Sequence, residues 1–387
     1  MDITFSAQEN LFRDEVRTWI HENKPKEKRP LDGQASTDFD IAWQRTQFEG
    51  GWAGINWPTE YGGRGLSLFE QIIWFQEYAT AKAPWIGANF VGINHGGPTL
   101  IVRASEEQKS YHLPRILKGE DIWCQGFSEP GAGSDLAGIR TSAVIDGDEM
   151  VINGSKIWTS FAMYAKWQEL IVRTEPGSQR HRGLSWVICD MEAPGIDIRP
   201  IRNMSGETEF CQVFYDDVRI PVANCVGGLG NGWSVAMSTL GFERGTGFIY
   251  EQVKLQIRVE EMIKRAKEEC APNGRPWIAN ERIAEQLAMF RAEVASLAAI
   301  TYRTVSEVKQ KGQPGPESSV VRLFTAELTQ RVDRMEMELL GQSILDYTYG
   351  QDDEIHDYLR HFAGTIAGGA SQIQRNIIGE RVLGLPK

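Results

Sequence analysis

Two short runs hold the residue types that could do chemistry. The first is Trp123-Cys124-Gln125-Gly126-Phe127-Ser128-Glu129-Pro130-Gly131-Ala132-Gly133-Ser134-Asp135. Its glycines and proline make a tight loop with exposed backbone N–H groups, which suits an anionic or hydrogen-bonding ligand. From composition alone the same run also reads as a surface turn between domains. The second run, Leu240-Gly241-Phe242-Glu243-Arg244, sets a carboxylate beside a guanidinium. Read without context, that pair is a solvated helix face. A carboxylate there becomes a useful base only if burial raises its pKa. The histidines are scattered and the cysteines form no C-x-x-C pair, so metal catalysis is set aside.

The elements that must position these runs change texture twice. Residues 1–119 read as helical. Ser6-Ala7-Gln8-Glu9 and Ser67-Leu68-Phe69-Glu70 have the capping-box pattern, each followed by an apolar helical stripe. Pro98 and Pro114 mark further breaks or first turns. Residues 120–225 switch to a period of two. Asp146-Gly147 signals a hairpin and Asn153-Gly154 a second turn. The regular short strands there suggest a small β-barrel or sandwich. Residues 226–387 return to long helices. Ile283, Leu287, Phe290, Val294 and Leu297 share one apolar face, and Phe324, Leu328, Val332, Met335 and Leu339 share another. Gly312-Gln313-Pro314-Gly315-Pro316 is the turn between these helices, which should pack as a bundle. A last helix should run from about Ser371 to Leu383.

The chain of 387 residues is longer than one hydrophobic core usually supports. Its Lys plus Arg total 41 and its Asp plus Glu total 52, so 41 − 52 gives −11. An acidic chain without a basic block is not expected to use nucleic acid or an anionic membrane as its main partner. No stretch is apolar and long enough to cross a bilayer, and the first residues lack a secretory signal. With five widely spaced cysteines, a cytoplasmic chain with reduced thiols is expected.

At Ser128-Glu129-Pro130-Gly131-Ala132-Gly133-Ser134-Asp135 the chain resembles the acyl-CoA dehydrogenase family, whose loop reads T-E-P-G-A-G-S-D. Blocks in matching order extend the resemblance over nearly the whole chain. They include Trp57-Pro58 with Tyr61-Gly62-Gly63, Asn153-Gly154-Ser155-Lys156-Ile157-Trp158, Asp216-Asp217-Val218-Arg219-Ile220-Pro221 and Ile373-Gln374-Arg375-Asn376. The resemblance implies a mainly α fold: an N-terminal helical domain, a middle β-barrel and a C-terminal four-helix bundle. It also implies FAD as cofactor, with contacts from Gln125, Phe127, Ser128, Gly133, Ser134, Trp158, Thr159, Ser160, Ala370 and Gln372. Ser134 and Arg244 would lie near the adenine-nucleotide side of CoA, and Gly369 against the acyl-CoA substrate. His95, in Asn94-His95-Gly96-Gly97, reads first as a helix-end histidine making a structural hydrogen bond, with the acyl pocket as the alternative. Electron-transfer flavoprotein is the implied acceptor and a homo- or heterotetramer the implied assembly.

The reaction that the resemblance implies is oxidation of an acyl-CoA to its trans-2-enoyl-CoA. A carboxylate takes the α-proton, the β-hydrogen leaves as hydride to flavin N5, and donors face the thioester oxygen. Many relatives carry that carboxylate in a Y-E-G-T run, which corresponds here to Ala367-Gly368-Gly369-Ala370. Gly368 has no side chain, yet its backbone N–H can still face the thioester oxygen. A family branch acting on bulky acyl groups carries the base early in the first bundle helix, which corresponds to Glu243 here. The expected substrate is therefore branched, cyclic or otherwise bulky. Other departures are Ala370 for a Thr, Ala271-Pro272-Asn273-Gly274-Arg275 for R-x-x-F-G, and Leu340-Gly341-Gln342 for Q-x-x-G-G. Two other readings stay open: a flavin oxidase or monooxygenase of the same fold, and a non-catalytic partner in a mixed tetramer.

Overall fold

A computed structural model describes residues 5–242, 248–311, 315–348 and 354–386. Its helices are α1 (Ala7–Asn23), α2 (Gln34–Glu49), α3 (Leu68–Thr80), α4 (Gly97–Arg103), α5 (Glu106–Lys118), α6 (Gly232–Phe242), α7 (Phe248–Glu268), α8 (Glu281–Lys311), α9 (Ser318–Leu340), α10 (Glu354–Arg360) and α11 (Ser371–Ile377). Its strands are β1 (Trp123–Gly126), β2 (Ser142–Asp146), β3 (Glu149–Ser160), β4 (Trp167–Arg173), β5 (Leu184–Asp190), β6 (Ile196–Ile201), β7 (Phe210–Pro221) and β8 (Cys225–Val226). They fall into two compact units. One holds residues 1–24, 67–83 and 244–387; the other holds 25–66 and 84–243.

The first unit is helical. Both capping boxes form: Ser6 Oγ accepts from Glu9 N, and Ser67 Oγ accepts from Glu70 N. Each satisfies orphan donors at a helix start. Glu77 of α3 binds Arg13 and Arg17 of α1. The apolar faces of α7, α8 and α9 meet in a core built from Leu255, Val259, Leu287, Phe290, Leu328 and Val332. The turn expected between α8 and α9 lies partly outside the described residues. The last helix is shorter than expected. α11 ends at Ile377, and Ile378–Val382 continues as a π-helical turn.

The second unit contains the sheet and α2, α4, α5 and α6. The strand order is β6-β7-β3-β2-β4-β5-β8, with β1 parallel to β4. The sheet does not close, so the expected barrel is corrected to an open sheet. Alternating residues reveal strands but carry no information about whether the two edge strands pair. Here the edges are β6 and the two-residue β8. The hairpin at Asp146-Gly147 forms between β2 and β3. The turn expected at Asn153-Gly154 does not. Gly154 lies inside β3 with φ +144°, where the register against β7 shifts. The extra residue lies on β7, between Tyr215 and Val218, where Asp217 has φ +49°. At Gly154 itself an added Cβ would sit 2.8 Å from Thr141 Cα, so glycine serves a close backbone approach. Pro114 likewise does not break a helix but sits within α5. Ser110, whose carbonyl loses its partner, is exposed.

Trp57 anchors the helical side of this unit. Its indole is buried and donates through Nε1 to the Ile93 carbonyl at 3.0 Å, within a π-helical turn Gly92–Gly96. Gly97 lies against that ring. A Cβ added at Gly97 would sit 2.0 Å from Trp57 Cζ2 and 2.8 Å from the Gly92 carbonyl oxygen. Gly97→Ala is expected to destabilise the protein by about 1–3 kcal/mol through overpacking, read as a lower midpoint in urea. Gly131→Ala, whose Cβ would meet nothing within 4 Å, should leave that midpoint nearly unchanged.

Candidate functional site

The Ser128–Asp135 loop is held from below by a buried ion pair. Lys156 lies on β3 and is completely buried. Its Nζ donates to the Phe127 carbonyl at 3.0 Å and to Glu129 Oε1 at 2.9 Å. Glu129 in turn accepts from the backbone N–H groups of Arg140 at 2.7 Å and Thr141 at 2.9 Å. The Ser128 carbonyl accepts from Ile157 N at 2.9 Å. Ser128 is thus fixed through its own backbone and through both neighbours. Complete burial pushes the Lys156 ammonium down to about 8, although Glu129 opposes the shift. Burial alone would raise the Glu129 carboxyl, but Lys156 and the two N–H groups together hold it below its usual value.

Beyond that anchor the strand is distorted. The register of β3 against β7 shifts between Lys156 and Thr159, and Trp158 and Phe161 adopt φ +61° and +60°. Such backbone is costly for bulky residues and clusters at functional sites. Its effect is to turn the Trp158 indole outward, 57% exposed, edge-on to Phe210. Thr159 points inward, and its buried Oγ1 has no hydrogen-bond partner among the described residues. Ser160 and Ser128 are half-buried, Phe127 is buried, and Gly133 and Ser134 are exposed. Gln125 lies within β1, and its Nε2 donates to Glu169 Oε1 at 2.8 Å and lies 3.3 Å from His95 Nδ1. His95 and Glu169 are both buried. The histidine therefore sits in a polar network with Gln125, one of the residues expected to line the flavin.

The other unit carries Gly368, Gly369, Ala370 and Gln372. Gly368 and Gly369 have φ +63° and +93°, and Ala370 precedes α11. A Cβ at Gly369 would lie 2.5 Å from Gln374 Nε2, so this turn needs glycine there. Gln374 Nε2 donates to the carbonyls of Gly368 and Gly369, both at 3.2 Å. Arg322 of α9 donates through Nη2 to the carbonyls of Gly364 at 2.6 Å and Ala367 at 2.5 Å. Gln330, further along α9, donates to Thr365 Oγ1 at 3.2 Å. Among the described residues, nothing accepts from the Gly368 N–H. A polar cavity of about 430 Å³ adjoins the turn. Ala370 and Gln372 line it together with Arg331, Arg334 and Arg375.

Glu243 and Arg244 lie outside the described residues. The residues that sequence reasoning passed over are those behind the site: Glu169, Arg322 and the ion-pairing role of Lys156 with Glu129. A signal existed for Lys156, because it occupies a core-facing position in a strand whose Met150 and Ile152 are fully buried.

Three family descriptions cover the chain. Acyl-CoA dehydrogenase, N-terminal domain, matches residues 6–120; the middle domain matches 124–218; the C-terminal domain matches 230–383. The chain is 39% identical over 384 residues to acyl-CoA dehydrogenase IpdE1 of Mycobacterium tuberculosis, covering 97% of each. Among solved structures, the Tcur3481-Tcur3483 steroid ACAD superposes with a TM-score of 0.86 at 29% identity, covering 100% of both chains. The ChsE4-ChsE5 complex from Mycobacterium tuberculosis gives 0.83 at 32% identity, again with 100% of both chains covered.

The residues present fit the FAD that this family uses. In the unit holding the sheet, Trp158 offers an exposed ring and Thr159 Oγ1 has no hydrogen-bond partner among the described residues. In the helical unit, a cavity lined by Arg331, Arg334, Arg375 and Glu327 adjoins Ala370 and Gln372, and the buried Ser371 Oγ has no partner among the described residues. The buried lysine gives a test of its own. Because its folded pKa lies below the unfolded value, the unfolded chain binds more protons between about pH 8 and about 10.5, so this group makes stability rise with pH across that window. In the double variant Lys156→Met with Glu129→Gln, the rise measured by urea denaturation between pH 8 and 10.5 should be smaller than in the parent protein. The variant should also retain less FAD after gel filtration.

Proposed function

The chain belongs to the acyl-CoA dehydrogenase family, and we propose that it oxidises a bulky, steroid-type acyl-CoA to the 2-enoyl-CoA with Glu243 as base. It is an FAD-dependent oxidoreductase acting on acyl-CoA. FAD, when bound, supplies the acceptor for the β-hydride. The remaining work falls to the chain. Glu243 takes the α-proton, and the Gly368 N–H meets the thioester oxygen as negative charge gathers on it. Ser128, Gln125, Trp158, Thr159 and Ser160 hold the flavin ring; Ala370 and Gln372 hold its nucleotide side. Ser134 and Arg244 bind the adenine-nucleotide side of CoA, and Gly369 binds the acyl-CoA substrate.

The observation that carries this reading is the turn at Gly368. A glycine occupies the place of the usual carboxylate, its amide makes no hydrogen bond among the described residues, and it is exposed. Loss of a side chain there leaves room for a larger acyl group. The steroid description of one structural neighbour favours the same substrate class. The ChsE4-ChsE5 neighbour is a complex of two different chains, which favours assembly with a related second chain over self-association. Electron-transfer flavoprotein is the proposed acceptor.

The protein purified with its FAD should bleach anaerobically with a steroid side-chain CoA thioester and respond weakly to butyryl-CoA. Glu243→Gln should keep its flavin absorbance while kcat falls on the order of 10²–10⁴-fold. A variant that still turns over at a near-parental rate would remove Glu243 from this role.

A further inference from the structure

We propose that Arg322 is a positioning residue that orients and polarises the Gly368 N–H. This inference rests on the reading of that N–H as the donor to the thioester oxygen.

By itself, Arg322 reads as a cap. The carbonyls of Gly364 and Ala367 lie at the end of the 3-10 turn His361–Thr365, where such groups lack intrahelical partners. An arginine commonly satisfies them. The added point lies in which peptide unit is capped. The Ala367 carbonyl and the Gly368 N–H belong to one peptide group. Every described peptide bond is trans, so in that planar unit the C=O and N–H point in opposite directions. Fixing the carbonyl on Arg322 Nη2 at 2.5 Å therefore fixes the direction of the N–H on the far side.

Two further contacts restrict the remaining freedom of the turn. The same nitrogen reaches the Gly364 carbonyl at 2.6 Å, which ties the turn at a second point. Gln374 Nε2 holds the next carbonyl, that of Gly368, at 3.2 Å. The peptide carrying the N–H is thus held at its own carbonyl and the peptide after it is held at Gly368. Two glycines with positive φ would otherwise leave this segment the most mobile stretch of backbone near the site.

Orientation is half of the effect. A charged donor on a carbonyl draws electron density along the amide and makes its N–H a stronger donor. Gly368 has no side chain, so the backbone amide is the group that this residue can offer to negative charge. A guanidinium behind that amide stays charged throughout the working pH range. Arg322 touches neither substrate nor flavin in this account. It acts through the peptide group alone.

The test uses the FAD-loaded protein and acetoacetyl-CoA, whose small acyl group enters a wide pocket and whose enolate absorbs in the ultraviolet. The quantity measured is the apparent pKa of the bound ligand, with coenzyme A binding and flavin content as controls. In Arg322→Met that pKa should rise by about one unit, a tenfold loss of preference for the enolate, while coenzyme A binding and flavin content hold. Arg322→Gln, a neutral donor of smaller volume, should shift it in the same direction and is read instead if the Met variant does not fold. An unchanged pKa in the variant that folds overturns the role of Arg322 alone. If the parent protein binds acetoacetyl-CoA without favouring its enolate, the reading of the Gly368 N–H fails first, and this inference fails with it.

Discussion

The candidate flavin loop depends on a charge that water never reaches. Lys156 is completely buried, and a lone ammonium in that position would be severely destabilising. It is tolerated because the Phe127 carbonyl and Glu129 surround it, and because Glu129 is itself held by two backbone N–H groups. The consequence is geometric. A loop containing Pro130, Gly131 and Gly133 would otherwise sample many conformations, yet Ser128 is bracketed by residues bonded to a rigid strand. The distortion that turns Trp158 outward begins immediately after this lysine, so one buried pair stands behind both the loop and the ring.

The same arrangement recurs around Gly368 with different chemistry. There the backbone has positive φ at two successive glycines and no side chain of its own to direct it. Its order comes from α9 and α11, through Arg322, Gln330 and Gln374. In both places long polar side chains behind the residues expected to touch cofactor or substrate supply the rigidity. This is how a site can be open to a bulky ligand and still hold its donors in fixed directions.

Departures from the usual family pattern are best understood in the same terms. Replacing a carboxylate by Gly368 removes a base and a volume but leaves the peptide group intact. Ala370 removes one hydroxyl beside a cavity that Arg331, Arg334 and Arg375 still line. The hydrogen bonds from Arg322 and Gln374 hold the path of the backbone at this turn.

Much was legible from residue order alone. The capping boxes at Ser6 and Ser67, the apolar faces of α8 and α9, and the Asp146-Gly147 hairpin all form where local chemistry demands, because each depends on contacts within a few residues. The S-E-P-G-A-G-S-D run was likewise visible in the chain and carried the family resemblance, and the glycine at 368 was visible as a departure from it. What the tertiary structure decided were matters of distant pairing. Whether β6 and β8 close a barrel, whether Asn153-Gly154 turns or stays in a strand, and whether Pro114 ends a helix depend on neighbours remote in sequence. So do the partners of Lys156, Glu169 and Arg322. A charged side chain carries no local mark of what it will meet; only folding brings the opposing carboxylate or carbonyl to within 3 Å, and the cost of burying that charge is what makes the meeting specific.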